Sequence, residues 1–113
     1  MLLWSVVCFT FVIALGVLLA IGVFRGTPSS KMIRLFHGVL AVTGLAMVAT
    51  VMSRGDTRLG INVALGTVVI LLGVIIGLIR VKRMNPSALV ACHIWLAAMF
   101  YIILVFFTFG PSF

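Results

Sequence analysis

Every charged residue of this chain lies in or beside one of three short connecting segments, and the four stretches they leave are apolar along nearly their whole length. These are Leu2 to Phe24, Leu35 to Met52, Leu59 to Ile79 and Ala88 to Phe107. A helix rising 1.5 Å per residue needs about 20 apolar residues to cross a hydrocarbon core. The first, third and fourth stretches meet that length, and the second does so with the polar turn before it. At 65% hydrophobic and 8% charged residues the chain is no water-soluble domain, which would carry roughly 25% charge. The expected fold is an all-α membrane protein. It is one four-helix transmembrane domain over residues 1–113, an up-down bundle with helices near 2–24, 30–52, 59–79 and 86–107.

The four spans read as one two-helix hairpin written twice. Shifted by 57 positions, Thr10, Val12, Ile13, Leu15, Gly16 and Val17 fall on Thr67, Val69, Ile70, Leu72, Gly73 and Val74, and Gly16/Ala20 falls on Gly73/Gly77. One gap in the connecting loop changes the offset to 56, and His37, Leu40 and Ala41 then fall on His93, Leu96 and Ala97. A duplicated unit of two spans inserts both copies the same way round, which predicts a pseudo-two-fold axis along the membrane normal. The only two histidines of the chain are then expected at one depth, facing each other.

The net charge of +7 reports orientation, not nucleic-acid binding, because the basic residues flank helix ends without forming a patch. Arg25, Lys31 and Arg34 lie at the first loop and Arg80, Lys82 and Arg83 at the third, against Arg54, Arg58 and the sole acid Asp56 at the second. The positive-inside rule puts loops 1 and 3 in the cytoplasm and both termini outside. The expected location is the cytoplasmic membrane of a bacterium. The first segment lacks a basic n-region and a small-x-small cleavage site, so it reads as helix 1 and not as a signal peptide. Cys8 and Cys92 are expected at different depths and unpaired. Leu89 stands where a CxxCH haem attachment would need its first cysteine, so any haem would be held without covalent links.

Counting from Ser30 and Asn85 as helix caps, with Pro86 at the first helical position, the histidines come seven and eight residues in. Helices 2 and 4 of an up-down bundle are diagonally opposed and parallel, so two imidazoles can meet on one iron near the axis. The ligand stripes are His37, Leu40, Ala41, Gly44, Val48 and Val51 on helix 2, and His93, Leu96, Ala97, Phe100 and Leu104 on helix 4. The expected site is a haem b with His37 and His93 as axial ligands. Gly44, with Gly16, Gly22, Gly38, Gly66, Gly73 and Gly77, offers room for the macrocycle, Trp95 either packs on it or faces lipid, and Arg34 and Arg83 are cations for its propionates. The plain alternative is a pair of neutral imidazoles satisfied by backbone carbonyl, Ser, Thr or water. Gly16/Ala20 and Gly73/Gly77 read as helix-packing seams. No carboxylate lies in any span, and no nucleophile–base pair, phosphate loop or zinc motif is present, so no catalytic residue is assigned and no autonomous catalysis is expected.

His37 and His93 with their HxxLA surroundings resemble the small four-helix membrane b-type cytochromes, in which paired histidines on different helices hold haem non-covalently. That resemblance implies electron transfer, quinone redox or haem handling, with a quinone or a membrane redox protein as partner. This chain departs from di-haem members in having two histidines, so one haem near the inner face completes no relay across the bilayer. Arg25-Gly26, His37 and the ending Tyr101 to Phe113, with Pro111 and Phe113, also resemble the four-span SirB-type family, which implies no defined chemistry. The rival functions are a non-catalytic structural or assembly subunit of a larger membrane complex, and a small transporter or proton pathway.

Overall fold

A computed structural model describes residues 1–82 and 84–110. They form α1 (Leu2–Arg25), α2 (Lys31–Ser53), α3 (Gly60–Val81) and α4 (Ser87–Phe109), with a 3-10 turn over Thr57–Leu59 leading into α3. Each helix is long and apolar enough to cross a membrane. They lie side by side in a bundle of 46 × 23 × 20 Å, each packed on its neighbours in the order α1, α2, α3, α4 and back to α1, which leaves α2 and α4 diagonal.

The helix ends follow from local chemistry. Gly26 takes the left-handed conformation, φ 68°, that stops α1, and the Thr27 N–H folds back onto the Gly22 carbonyl at 2.9 Å. Ser30 occupies the cap position of α2 without a side-chain capping bond. Helix α4 starts one residue later than the Asn-Pro spacing predicts. Pro86 is its cap, with its carbonyl accepting the Val90 N–H at 2.9 Å, so Asn85 lies before the helix.

Inward positions recur at steps of four, three and four on every helix, the spacing of a knobs-into-holes seam. They are Ser5, Phe9, Val12 and Gly16 on α1; His37, Ala41, Gly44 and Val48 on α2; Asn62, Gly66, Val69 and Gly73 on α3; and His93, Ala97, Phe100 and Leu104 on α4. At the loop-2 end, Ser5, Val48, Asn62 and Leu104 are all 0% exposed. One turn further in, Phe9 meets Phe100 edge-on with ring centroids 4.7 Å apart. Gly44 lies under the Phe9 ring and Gly66 under the Phe100 ring: a Cβ added at either would stand 2.8 Å and 2.9 Å from the aromatic carbons. No side chain larger than hydrogen fits those two places without displacement.

Packing is one-sided. Towards the loop-1 and loop-3 end, beyond the histidine level, Val23 and Val90 are the buried hydrophobic residues, and a Cβ on Gly77 would meet nothing within 4 Å. Side-chain bonds stitch the denser half: the Cys8 thiol donates to the Leu40 carbonyl at 3.2 Å. Thr10 gives its hydroxyl hydrogen to the Val6 carbonyl, so Tyr101, 2.8 Å away, is the donor to Thr10. Both cysteines are free.

Candidate functional site: a facing histidine pair

His37 and His93 are each the seventh residue of their helix, about 9 Å above its start. Because α2 and α4 start at the same end of the bundle, the two rings arrive at one level. Their centroids are 6.4 Å apart and their planes cross at 61°. The parallel, diagonal placement of helices 2 and 4 expected from the sequence brings them together.

Each ring rests on a glycine of the preceding helix. A Cβ at Gly16 would come within 3.0 Å of His37 Cε1, and one at Gly73 within 3.3 Å of His93 Cε1. The missing side chains on α1 and α3 are therefore the space the imidazoles occupy. His37 Nδ1 lies 2.9 Å from the Val12 carbonyl. A carbonyl only accepts, so Nδ1 carries the hydrogen and the Nε2 lone pair is left free. On the other side His93 Nδ1 is buried near the carbonyl of Val69, the position equivalent to Val12, without closing a hydrogen bond.

One turn from His37 towards loop 1, Arg34 lies at the next inward position of α2. Its Nε is buried without a hydrogen-bond partner. The corresponding positions on the other helices are small or apolar: Ala20, Gly77 and the buried Val90. The sole acid of the chain, Asp56, is at the far end, where its carboxylate takes two bonds from Arg58 at 2.9 Å and 3.0 Å. That guanidinium holds the Asp56 carboxyl below its ordinary value, and it also stands 5.1 Å from the centre of the Phe107 ring. Among the described residues Arg34 thus has no carboxylate within reach.

Two residues expected at the cofactor stand elsewhere. Gly44 is two seam positions away from His37, closed over by the Phe9 ring, and so gives no space beside the histidines. Trp95 is 74% exposed; two residues past His93 is a rotation of about 200° on a 3.6-residue helix, which turns its indole outward. Arg83, like Pro111 and Phe113 of the chain's ending, lies outside the described residues. Arg80 donates to the Thr27 carbonyl at 2.8 Å and ties α3 to loop 1. Cys92 is exposed, and among the described residues no third His, Cys, Asp or Glu joins the pair as a metal-binding group.

Gly16 and Gly73, legible in the sequence as packing seams or as general room between helices, are the specific seats of the two imidazoles. The signal was present, since the repeat aligns Val12, Gly16 and His37 with Val69, Gly73 and His93. No protein-family model, curated protein or solved structure matches the chain.

Proposed function

We propose that this chain is an integral membrane protein that holds one haem b between His37 and His93 and serves one-electron transfer at one face of the membrane. The observation that carries the reading is the separation of the two rings. Two imidazoles bound end-on to one metal through nitrogens at about 2.0–2.1 Å have ring centres roughly 6 Å apart, and these stand at 6.4 Å. The donor set supports haem over a bare ion. Among the described residues no third His, Cys, Asp or Glu joins the two imidazole nitrogens, so His37 and His93 would hold a group that brings its remaining donors with it, as a tetrapyrrole does.

The residues divide the work. Val12 fixes the His37 ring through Nδ1 and directs Nε2 to the ligand, the usual outer-sphere arrangement of a metal-bound histidine. Gly16 and Gly73 let both rings approach the axis. Arg34, cationic and with no counter-charge among the described residues, would be the partner for a propionate. Bound there, the haem supplies a one-electron couple whose potential is set by its two imidazoles and its apolar walls. Dense packing from the Phe9–Phe100 level to the loop-2 end closes that side, which leaves the loop-1 and loop-3 face as the one on which a quinone or a membrane redox protein would approach the site.

The same reading takes the bundle as a duplicated hairpin about a pseudo-two-fold axis. Under the 57 and 56 offsets the inward positions map onto one another, including Ser5 onto Asn62 and Val48 onto Leu104. The Phe–Gly layer maps with its volumes exchanged, Phe9 onto Gly66 and Gly44 onto Phe100. Six basic residues flank loops 1 and 3, which orients those loops to the cytoplasm.

The test is a visible spectrum of the detergent-purified protein after expression with supplemented haem. The reading predicts a Soret band and a sharp reduced α band, both lost in His37→Ala and in His93→Ala. A colourless protein, or full pigment in either variant, overturns it. A colourless chain that purifies in fixed ratio with other membrane proteins and tolerates loss of both histidines would instead be a structural or assembly subunit.

A further inference from the structure

The polar connection between α1 and α2 is built more rigidly than a simple turn requires. Gly26 stops α1 in a left-handed conformation, the Thr27 N–H and hydroxyl both bond the Gly22 carbonyl, and Arg80 clamps the Thr27 carbonyl from α3. Beside this fixed loop lies an open cleft of about 290 Å³ between α1 and α2. Its walls change character along its length. Leu18, Ile21 and Ile33 line one part, with Leu18 and Ile21 55% and 42% exposed on the outer face of α1; Arg25, Ser29 and Ser30 line the other. Ser30 makes no capping bond with its side chain.

We infer that this cleft is a site for one anionic phospholipid, with the phosphate against Arg25, Ser29 and Ser30 and the first part of an acyl chain along Leu18, Ile21 and Ile33. Charge complementarity selects the ligand's sign. Arg25, Lys31 and Arg34 flank this loop, and the only acid in the sequence is Asp56, at the opposite end and paired with Arg58. The apolar wall selects a lipid over a free phosphate, since a soluble anion has no use for it. A fixed loop limits the ordering that binding would require. The inference rests on the membrane reading above and is independent of haem.

Native mass spectrometry of the detergent-purified chain, with phosphatidylglycerol or phosphatidylcholine added, tests the site. One phosphatidylglycerol is retained in preference to phosphatidylcholine. Arg25→Gln lowers that retention roughly fivefold, the effect of removing one cation beside an anionic headgroup, whereas Lys82→Gln, an equal loss of charge outside the cleft, leaves it unchanged. Ile21→Trp, which fills the apolar part and keeps every charge, lowers it as well. Equal retention of the two lipids, or Arg25→Gln behaving as Lys82→Gln, overturns the site. Displacement of the lipid by glycerol 3-phosphate at equal concentration would make it a free-phosphate site and overturn the lipid assignment. Flotation with phosphatidylcholine vesicles separates the two levels: a chain that floats but retains both lipids equally in the mass spectra refutes this site alone, and one that does not float refutes the membrane reading with it.

Discussion

The Phe–Gly layer makes a quantitative demand on stability. In Gly44→Ala the new methyl would stand 2.8 Å and 2.9 Å from two carbons of the Phe9 ring, where carbon atoms pack best at about 3.5–4.0 Å. Phe9 must retreat by more than half an ångström, and it is already edge-on against Phe100 at 4.7 Å between centroids. In Gly66→Ala the methyl meets Leu45 Cδ1 at 2.7 Å and the Phe100 ring at 2.9 Å. Overpacking of this kind costs about 1–3 kcal/mol for each variant. The two substitutions press the same aromatic pair from opposite sides, so each removes the slack the other needs. The double variant should therefore lose more than the sum of the singles, by about 0.5–3 kcal/mol. Gly77→Ala is the control: its methyl would meet nothing within 4 Å, and alanine's better helix propensity makes it neutral or stabilising by up to about 1 kcal/mol. Reversible unfolding in mixed detergent micelles, followed by circular dichroism, ranks the four variants. If Gly44→Ala and Gly66→Ala unfold with Gly77→Ala, or if the double variant is additive, the layer is not packed as described.

Other consequences are open to similar measurement. Gly16→Ala should weaken haem binding more than Gly73→Ala, because its methyl would crowd His37 Cε1 at 3.0 Å against 3.3 Å at His93; haem titration monitored at the Soret band ranks the two, and equal affinities would contradict it. Asn62 is 0% exposed and gives its amide hydrogen to the Phe100 carbonyl at 3.1 Å, while its Oδ1 has no partner. Asn62→Leu removes that unsatisfied acceptor, so it should be less destabilising than Asn62→Ala, which leaves a void worth about 24 cal/mol per Å³. The Asp56 carboxyl is held below its ordinary value of 3.8 by Arg58. Its contribution to stability is thus present above that pH and lost as the pH falls through the lower folded-state value. Asp56→Asn should lower the melting temperature in the neutral region, where the pair contributes, and flatten the acid limb of its dependence on pH.

The sequence carries the architecture well because hydropathy and helical period are local properties of the chain. The four long apolar helices and both histidine-bearing stripes follow from them, and His37, Ala41, Gly44 and Val48 on α2 and His93, Ala97, Phe100 and Leu104 on α4 are inward positions in the structure. Helix starts were less legible: an Asn-Pro pair admits a cap at either residue, and the backbone bond from Val90 to Pro86 decides it. The role of Gly44 was hidden for another reason. A repeat found by identity reveals what both halves keep, such as Val12/Val69 and Gly16/Gly73, and is blind to positions where the halves exchange volume. Phe9 against Gly66 and Gly44 against Phe100 look like divergence until the helices are paired in space. Trp95 shows the same limit from the other side: nearness to His93 in sequence left both faces open, and its exposure decides for the outer one. Ser5 and Asn62, aligned by the repeat offset and both 0% exposed, were readable only once burial was known.

The central claim is that two imidazoles, one from each hairpin, share a single ligand. Near-infrared magnetic circular dichroism of the haem-loaded protein identifies the axial ligands directly. One low-spin haem per chain with bis-imidazole ligation is expected, and its signal is lost when either His37 or His93 is replaced by alanine. A chain that takes up no haem, or one whose ligation survives the loss of either histidine, would contradict it.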